Sequence, residues 1–165
     1  MARAARRTQI SAGLLVYRRS SERTEVLLAH PGGPFWAKKD AGAWTIPKGL
    51  ADSAADADLL ATAQREFTEE TGFAARGPFL PLRPVTQTSG KVVHAFACAG
   101  DFDPRELSSN TFEIEWPPRS GQRQSFPEVD RAAWFSLANA MDKIIGYQRP
   151  LLVELREKLA KAPSA

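Results

Sequence analysis

The chain has 165 residues, 43% apolar and 25% charged, enough for one compact domain with a buried core and short for two. Its net charge of +3, from 22 basic and 19 acidic residues, is scattered, so no basic stripe argues for a nucleic-acid partner. No stretch approaches the roughly 20 apolar residues of a membrane helix, which argues against a membrane partner.

Met1 to Arg7 are basic, and no apolar run follows them. A frayed N-terminus is expected there, ahead of a single domain over residues 1–165. Gln9 to Tyr17 has the β-branched, apolar character of a strand, and Glu25 to His30 reads as its partner across a turn at Ser20 to Arg23. Pro31-Gly32-Gly33-Pro34 forces a loop. Ala43 to Pro47 is expected to hold a very short strand. Leu59 to Thr71 has helical composition, with Asp56 or Asp58 as N-cap and Gly72 as C-cap.

Leu80 to Thr88 and Lys91 to Ala99 read as a strand pair joined at Ser89-Gly90. The lone cysteine, Cys98, lies in the apolar run 95–99, which excludes an internal disulfide and predicts a buried, inert thiol in a cytoplasmic protein. Asn110 to Trp116 and Ala132 to Phe135 suggest further strands. The stretch Arg119 to Pro127 between them reads as a long mobile loop. Phe135 to Ile145 and Arg149 to Ala160 read as helices. Strands interspersed with three helices predict a layered α/β domain.

The chemistry concentrates in Arg65-Glu66-Phe67-Thr68-Glu69-Glu70-Thr71-Gly72-Phe73. At roughly 100° per residue, Glu66, Glu69 and Glu70 crowd an arc about 100° wide, and Leu60, Ala63 and Phe67 fall beside it. Like charges so spaced, in the last turns of a helix, destabilise it by a few tenths of a kcal/mol per pair. A hard divalent cation would reverse that penalty, because such ions prefer carboxylate and water ligands. A solvated acidic face is the bland alternative. No Cys/His spacing suggests zinc, and no Walker loop is present.

The same nine residues resemble the second half of the Nudix box, Arg-Glu-apolar-any-Glu-Glu-any-Gly-apolar, at every specified position. Pro47-Lys48-Gly49 is similar to the loop entering that box. The resemblance implies a Nudix-like α/β/α sandwich with a mixed β-sheet. It implies hydrolysis of a diphosphate linkage in a nucleotide-like small molecule, with Mg²⁺ or Mn²⁺ as cofactor. Carried over, Glu66, Glu69 and Glu70 hold metal with the Gly49 carbonyl, and Arg65 orients the glutamates. Glu66, Glu69 or Glu128 is the expected catalytic carboxylate; Glu128 stands in the loop before the strand bearing Trp134.

Trp44-Thr45-Ile46-Pro47-Lys48-Gly49 is similar to branches that cut dinucleoside polyphosphates or inositol pyrophosphates. Lys48, Trp44, Lys91 and His94 are accordingly the expected substrate-facing residues. One departure stands out. Gly49 precedes Arg65 by sixteen positions, against fourteen in the family pattern, and the expected box glutamate falls on Ala57 or Ala55. Asp52, Asp56 and Asp58 are the available substitutes. That gap leaves a nucleotide-binding module without catalysis as the alternative function, with oligomeric state open.

Overall fold

A computed structural model describes residues 8–51 and 58–161. The basic N-terminal segment and the positions of Asp52, Ala55, Asp56 and Ala57 lie outside the described residues.

Strands β1 (Ile10–Arg19) and β2 (Thr24–Pro31) pair antiparallel across the turn foreseen at Ser20 to Arg23. β1 is buried continuously from Ser11 to Val16, the pattern of a strand covered on both faces. The edge it shares with β2 also takes β3 (Lys48–Leu50), which pairs antiparallel with Ser11 to Gly13. Along its other edge runs β6 (Val92–Ala99), parallel, with Ile10 opposite Val92 and Tyr17 opposite Ala99. Two short strands, β4 (Leu80–Pro81) and β5 (Val85–Thr86), lie antiparallel on β6. β9 (Val129–Ser136) closes the far side against β2. The sheet is therefore mixed.

Helices cover both faces. On one, α1 (Leu59–Thr71) sets Ala63 and Phe67 against Ala12, Leu14, Val16 and Cys98. On the other, α2 (Leu137–Lys143) and α3 (Arg149–Lys161) set Ala140, Ile144, Leu151 and Leu155 against Leu15, Val26 and Leu28. Each fully buried Leu, Ile, Val or Phe among them contributes on the order of 2 kcal/mol. The layers are α/β/α, as expected. Burial also pushes the Cys98 thiol up to about 11, which suits an inert side chain.

Three local expectations are corrected. Ala43 to Pro47 forms only isolated bridges, Ala29 with Thr45 and Trp44 with Ile144, and the short strand forms just afterwards at β3. Leu80 to Thr88 is broken in the middle, since Pro81 and Pro84 have no N–H to give to a ladder. The expected mobile loop at Arg119 to Pro127 instead contains a strand, β8 (Arg123–Pro127), paired antiparallel with β7 (Thr111–Glu115) in a separate two-stranded sheet. Its sequence, Arg-Gln-Ser-Phe-Pro, is mostly exposed and lacks the apolar alternation that would have marked it.

Candidate active site

The acidic helix is set at both ends by its own sequence. Asp58 takes the N-cap: its Oδ1 accepts from the Leu60 and Ala61 amides at 3.1 and 3.2 Å. That employment explains Asp58 without a place in the acidic cluster. At the other end Gly72 adopts φ 79°, the left-handed conformation glycine reaches without strain, and its amide donates to the Thr68 carbonyl.

Phe67 buries against the sheet and fixes the rotation of α1, so that Glu66 and Glu70, one turn apart, face β3. The Lys48 amide donates to Glu70 Oε2 at 3.0 Å. Gly49 passes directly beside Glu66: a Cβ added to Gly49 would stand 2.0 Å from Glu66 Oε2. Only glycine allows that approach. Arg65 lies 3.6 Å from Glu66 and 3.8 Å from Glu69, and so spans two of the three carboxylates.

These groups resist ionisation together. Burial, opposed by the Lys48 amide and ammonium and reinforced by Glu128 and Glu66, pushes the Glu70 carboxyl up to about 8. Burial and then the neighbouring Glu69 also raise Glu66, with Glu128 adding to the effect. The charge of Glu128 thus reaches both groups from the connection between β8 and β9.

A buried carboxylate, a half-buried one and a more exposed third, beside a glycine backbone, form an oxygen-rich donor set of the kind a hard divalent cation takes. The unmet charge repulsion in that set is what a cation would relieve. Among the described residues no three His, Cys, Asp or Glu side chains already stand close enough to share an ion. Loading would therefore draw in Glu69, the most exposed of the three helix glutamates.

Basic side chains gather on the sheet face opposite α1. Lys48 is paired with Gly13, and Lys91 immediately precedes β6, two residues before Val93 on the same face. Burial lowers both ammonium groups; Glu70 and Glu66 oppose this at Lys48, whereas Lys48 itself lowers Lys91 further. The two lysines are thus near neighbours, drawn from positions 43 residues apart in the chain.

The other two residues expected to face substrate lie elsewhere. Trp44 is buried in the core under α2 and α3, its Nε1–H donates to Asp40 Oδ1 at 2.8 Å, and its ring packs edge-on to His30 and Phe135. His94 is half-buried on the α1 side, where β1 places Ala12 between it and Gly49.

Some neighbours of the site were not foreseen. Gln148 is fully buried: its Oε1 accepts from the Ile46 amide at 3.0 Å, and its Nε2 donates to the Tyr147 hydroxyl at 2.9 Å. It thereby ties the segment entering Lys48 to Tyr147. Tyr147, with Arg83, Pro84, Val85, Thr86, Pro150 and Glu154, lines a cavity of about 420 Å³. Ser11, on the lysine face between Leu50 and Val93, buries a hydroxyl that has no hydrogen-bond partner among the described residues. Nothing local in the sequence marks any of these, because each owes its place to partners far along the chain.

Comparison with known proteins agrees with this geometry. A family model described as the NUDIX domain matches residues 7–155. The NUDIX domain of Shewanella oneidensis NrtR, complexed with ADP ribose, superposes with a TM-score of 0.65 at 18% identity, over 94% of this chain and 90% of that one. A Caenorhabditis elegans Ap4A hydrolase in a binary complex gives 0.63 at 22% identity, over 92% and 99%. NrtR complexed with a 27mer DNA gives 0.59 at 17% identity, over 92% of this chain and 62% of that one. No curated protein matches the sequence. With its acidic helix inside a matched region that covers most of its length, the chain belongs to the NUDIX domain family and is a pyrophosphohydrolase.

Proposed function

We propose that the chain hydrolyses a P–O–P linkage in a nucleotide-like small molecule, using Mg²⁺ or Mn²⁺ held by Glu66, Glu69, Glu70 and the Gly49 carbonyl. The observation that carries this reading is the meeting of Glu66 and Glu70 with the backbone of Lys48 and Gly49 at β3, beside two lysines of depressed basicity. Such a site holds cation and phosphate side by side. When bound, the cation supplies neutralisation of phosphate oxygens and acidifies the attacking water.

The chain's own residues do the rest. Arg65 holds Glu66 and Glu69 in place through its planar fork. Lys48 and Lys91 bind phosphate oxygens, and Lys48 stabilises the leaving group. The proton from water passes to Glu128 or to a glutamate of the cluster. The cavity beside Tyr147 has room for a nucleoside and lies along β5, whose Thr86 pairs with Val92 next to Lys91.

We infer that the whole chain serves as one catalytic unit in a reducing cytoplasm, acting on a small molecule and not on nucleic acid.

The test is cleavage, read by chromatographic separation of the products with and without Mg²⁺, of ADP-ribose, NADH, diadenosine polyphosphates, oxidised nucleoside triphosphates and inositol pyrophosphates. Magnesium-dependent cleavage of a nucleotide member of the panel, lost in Glu66→Gln, is the expected result. Binding of those nucleotides without cleavage of any of them would favour the non-catalytic module instead.

A further inference from the structure

The last carbonyls of a helix have no partners within it. In α1 two of these are taken by one neighbouring segment. The Ser108 amide donates to the Thr71 carbonyl at 2.9 Å, and the Asn110 amide to the Glu69 carbonyl at 2.8 Å. The other side of that segment holds the connection carrying Glu128. The Glu128 amide donates to the Asn110 carbonyl at 2.9 Å, and the Val129 amide to Ser109 Oγ at 3.0 Å. Ser109 Oγ in turn donates to the Asn110 carbonyl at 2.8 Å.

A third element closes on Glu128 from outside. The Gly32 amide donates to the Glu128 carbonyl at 2.9 Å, and a Cβ on Gly32 would stand 1.9 Å from the Pro127 carbonyl oxygen. Both backbone polar groups of Glu128 are thus tied. One tie reaches the backbone of Glu69, in the middle of the acidic motif, through the single residue Asn110. The charge of Glu128 adds to the repulsion at Glu66 and Glu70, and backbone ties of this kind hold the connection in place against it.

We propose that Ser108 to Asn110 form a latch that fixes Glu128 against α1, with Ser109 and Gly32 as positioning residues. Glu128 then acts from a preset place, and does not swing in with the substrate. The proposal rests on the hydrolase reading above, in which Glu128 contributes to the chemistry.

Ser109→Ala removes the acceptor of the Val129 amide without adding bulk. Amide hydrogen exchange followed by NMR should show protection at Glu128 and Val129 falling about tenfold, with the melting temperature nearly unchanged. Turnover should fall about fivefold or more at little change in KM, because the misplaced group serves only the chemical step. Gly32→Ala, which presses on the connection from the other side, should reproduce the split between kcat and KM.

The discriminating measurement is a double-mutant cycle with Glu128→Gln. A residue that acts only through Glu128 costs nothing more once that carboxylate is gone. Losses that multiply in full, or unchanged kcat and unchanged exchange at Val129 in Ser109→Ala, overturn the latch. A wild-type chain that cleaves no member of the substrate panel overturns the hydrolase reading instead, and the exchange data then stand for the latch alone.

Discussion

Glu66 and Glu70 stand one helical turn apart and turn inward, whereas Glu69 lies to the outside, touching Arg65. This difference in exposure assigns them different work in the proposed reaction. Glu70, buried and bonded to the Lys48 amide, couples the helix to the phosphate-binding strand. Glu69 has freedom to move onto a cation. Glu69→Gln keeps its size and removes its charge, so turnover should fall at least about a hundredfold while the fold remains intact. Turnover at saturating Mg²⁺, set beside a thermal melt, checks this, and undiminished turnover would remove Glu69 from the cluster. The nine-residue motif made these three carboxylates legible at once. Lys91 was named from the sequence as a substrate-facing residue, but its relation to Lys48 was not legible, because it depends on the parallel pairing of β1 with β6.

At the scale of elements, the site is a meeting of α1 with β3, and the contact is close enough to depend on one missing methyl. Gly49→Ala would drive a Cβ into the Glu66 carboxylate and push that side chain out of its place in the cluster. Calorimetric titration with Mn²⁺ should show affinity lowered about tenfold or more, against a modest loss of stability. Unaltered affinity would mean that the approach of Gly49 to Glu66 has no part in the cation site.

The N-cap separates from the site in the same way. Asp58→Ala should lower stability by about 1 kcal/mol by denaturant unfolding and leave turnover close to wild type. A large loss of turnover there would return Asp58 to the role of the absent box glutamate. The bounds of α1 could be read from the sequence because capping and periodicity are local. β8 could not, since its exposed residues become a strand only through the edge that β7 offers.

For the whole molecule, the Glu70 carboxyl makes stability depend on pH and on cation. Without a cation the folded protein keeps its proton to about 8, whereas the unfolded chain releases it near its ordinary 4.5. The folded state thus holds more protons across that window. The stability this group contributes is complete below the lower value and lost as pH rises through the upper one. Melting temperature without metal should therefore drop between pH of about 5 and 8.5, and Glu70→Gln should flatten the drop. Mg²⁺, which favours the ionised carboxylate, should restore stability most at the alkaline end. A melting curve indifferent to Mg²⁺ at that end would speak against Glu70 as a ligand.

The sequence by itself determined the acidic helix, its caps and the layered α/β class, since these follow from periodicity, capping chemistry and a contiguous motif. Only the tertiary structure decided which residues surround that helix. The Lys48 backbone and the connection carrying Glu128 reach it because strand register and backbone hydrogen bonds bring distant segments together. No local pattern of residues encodes such encounters.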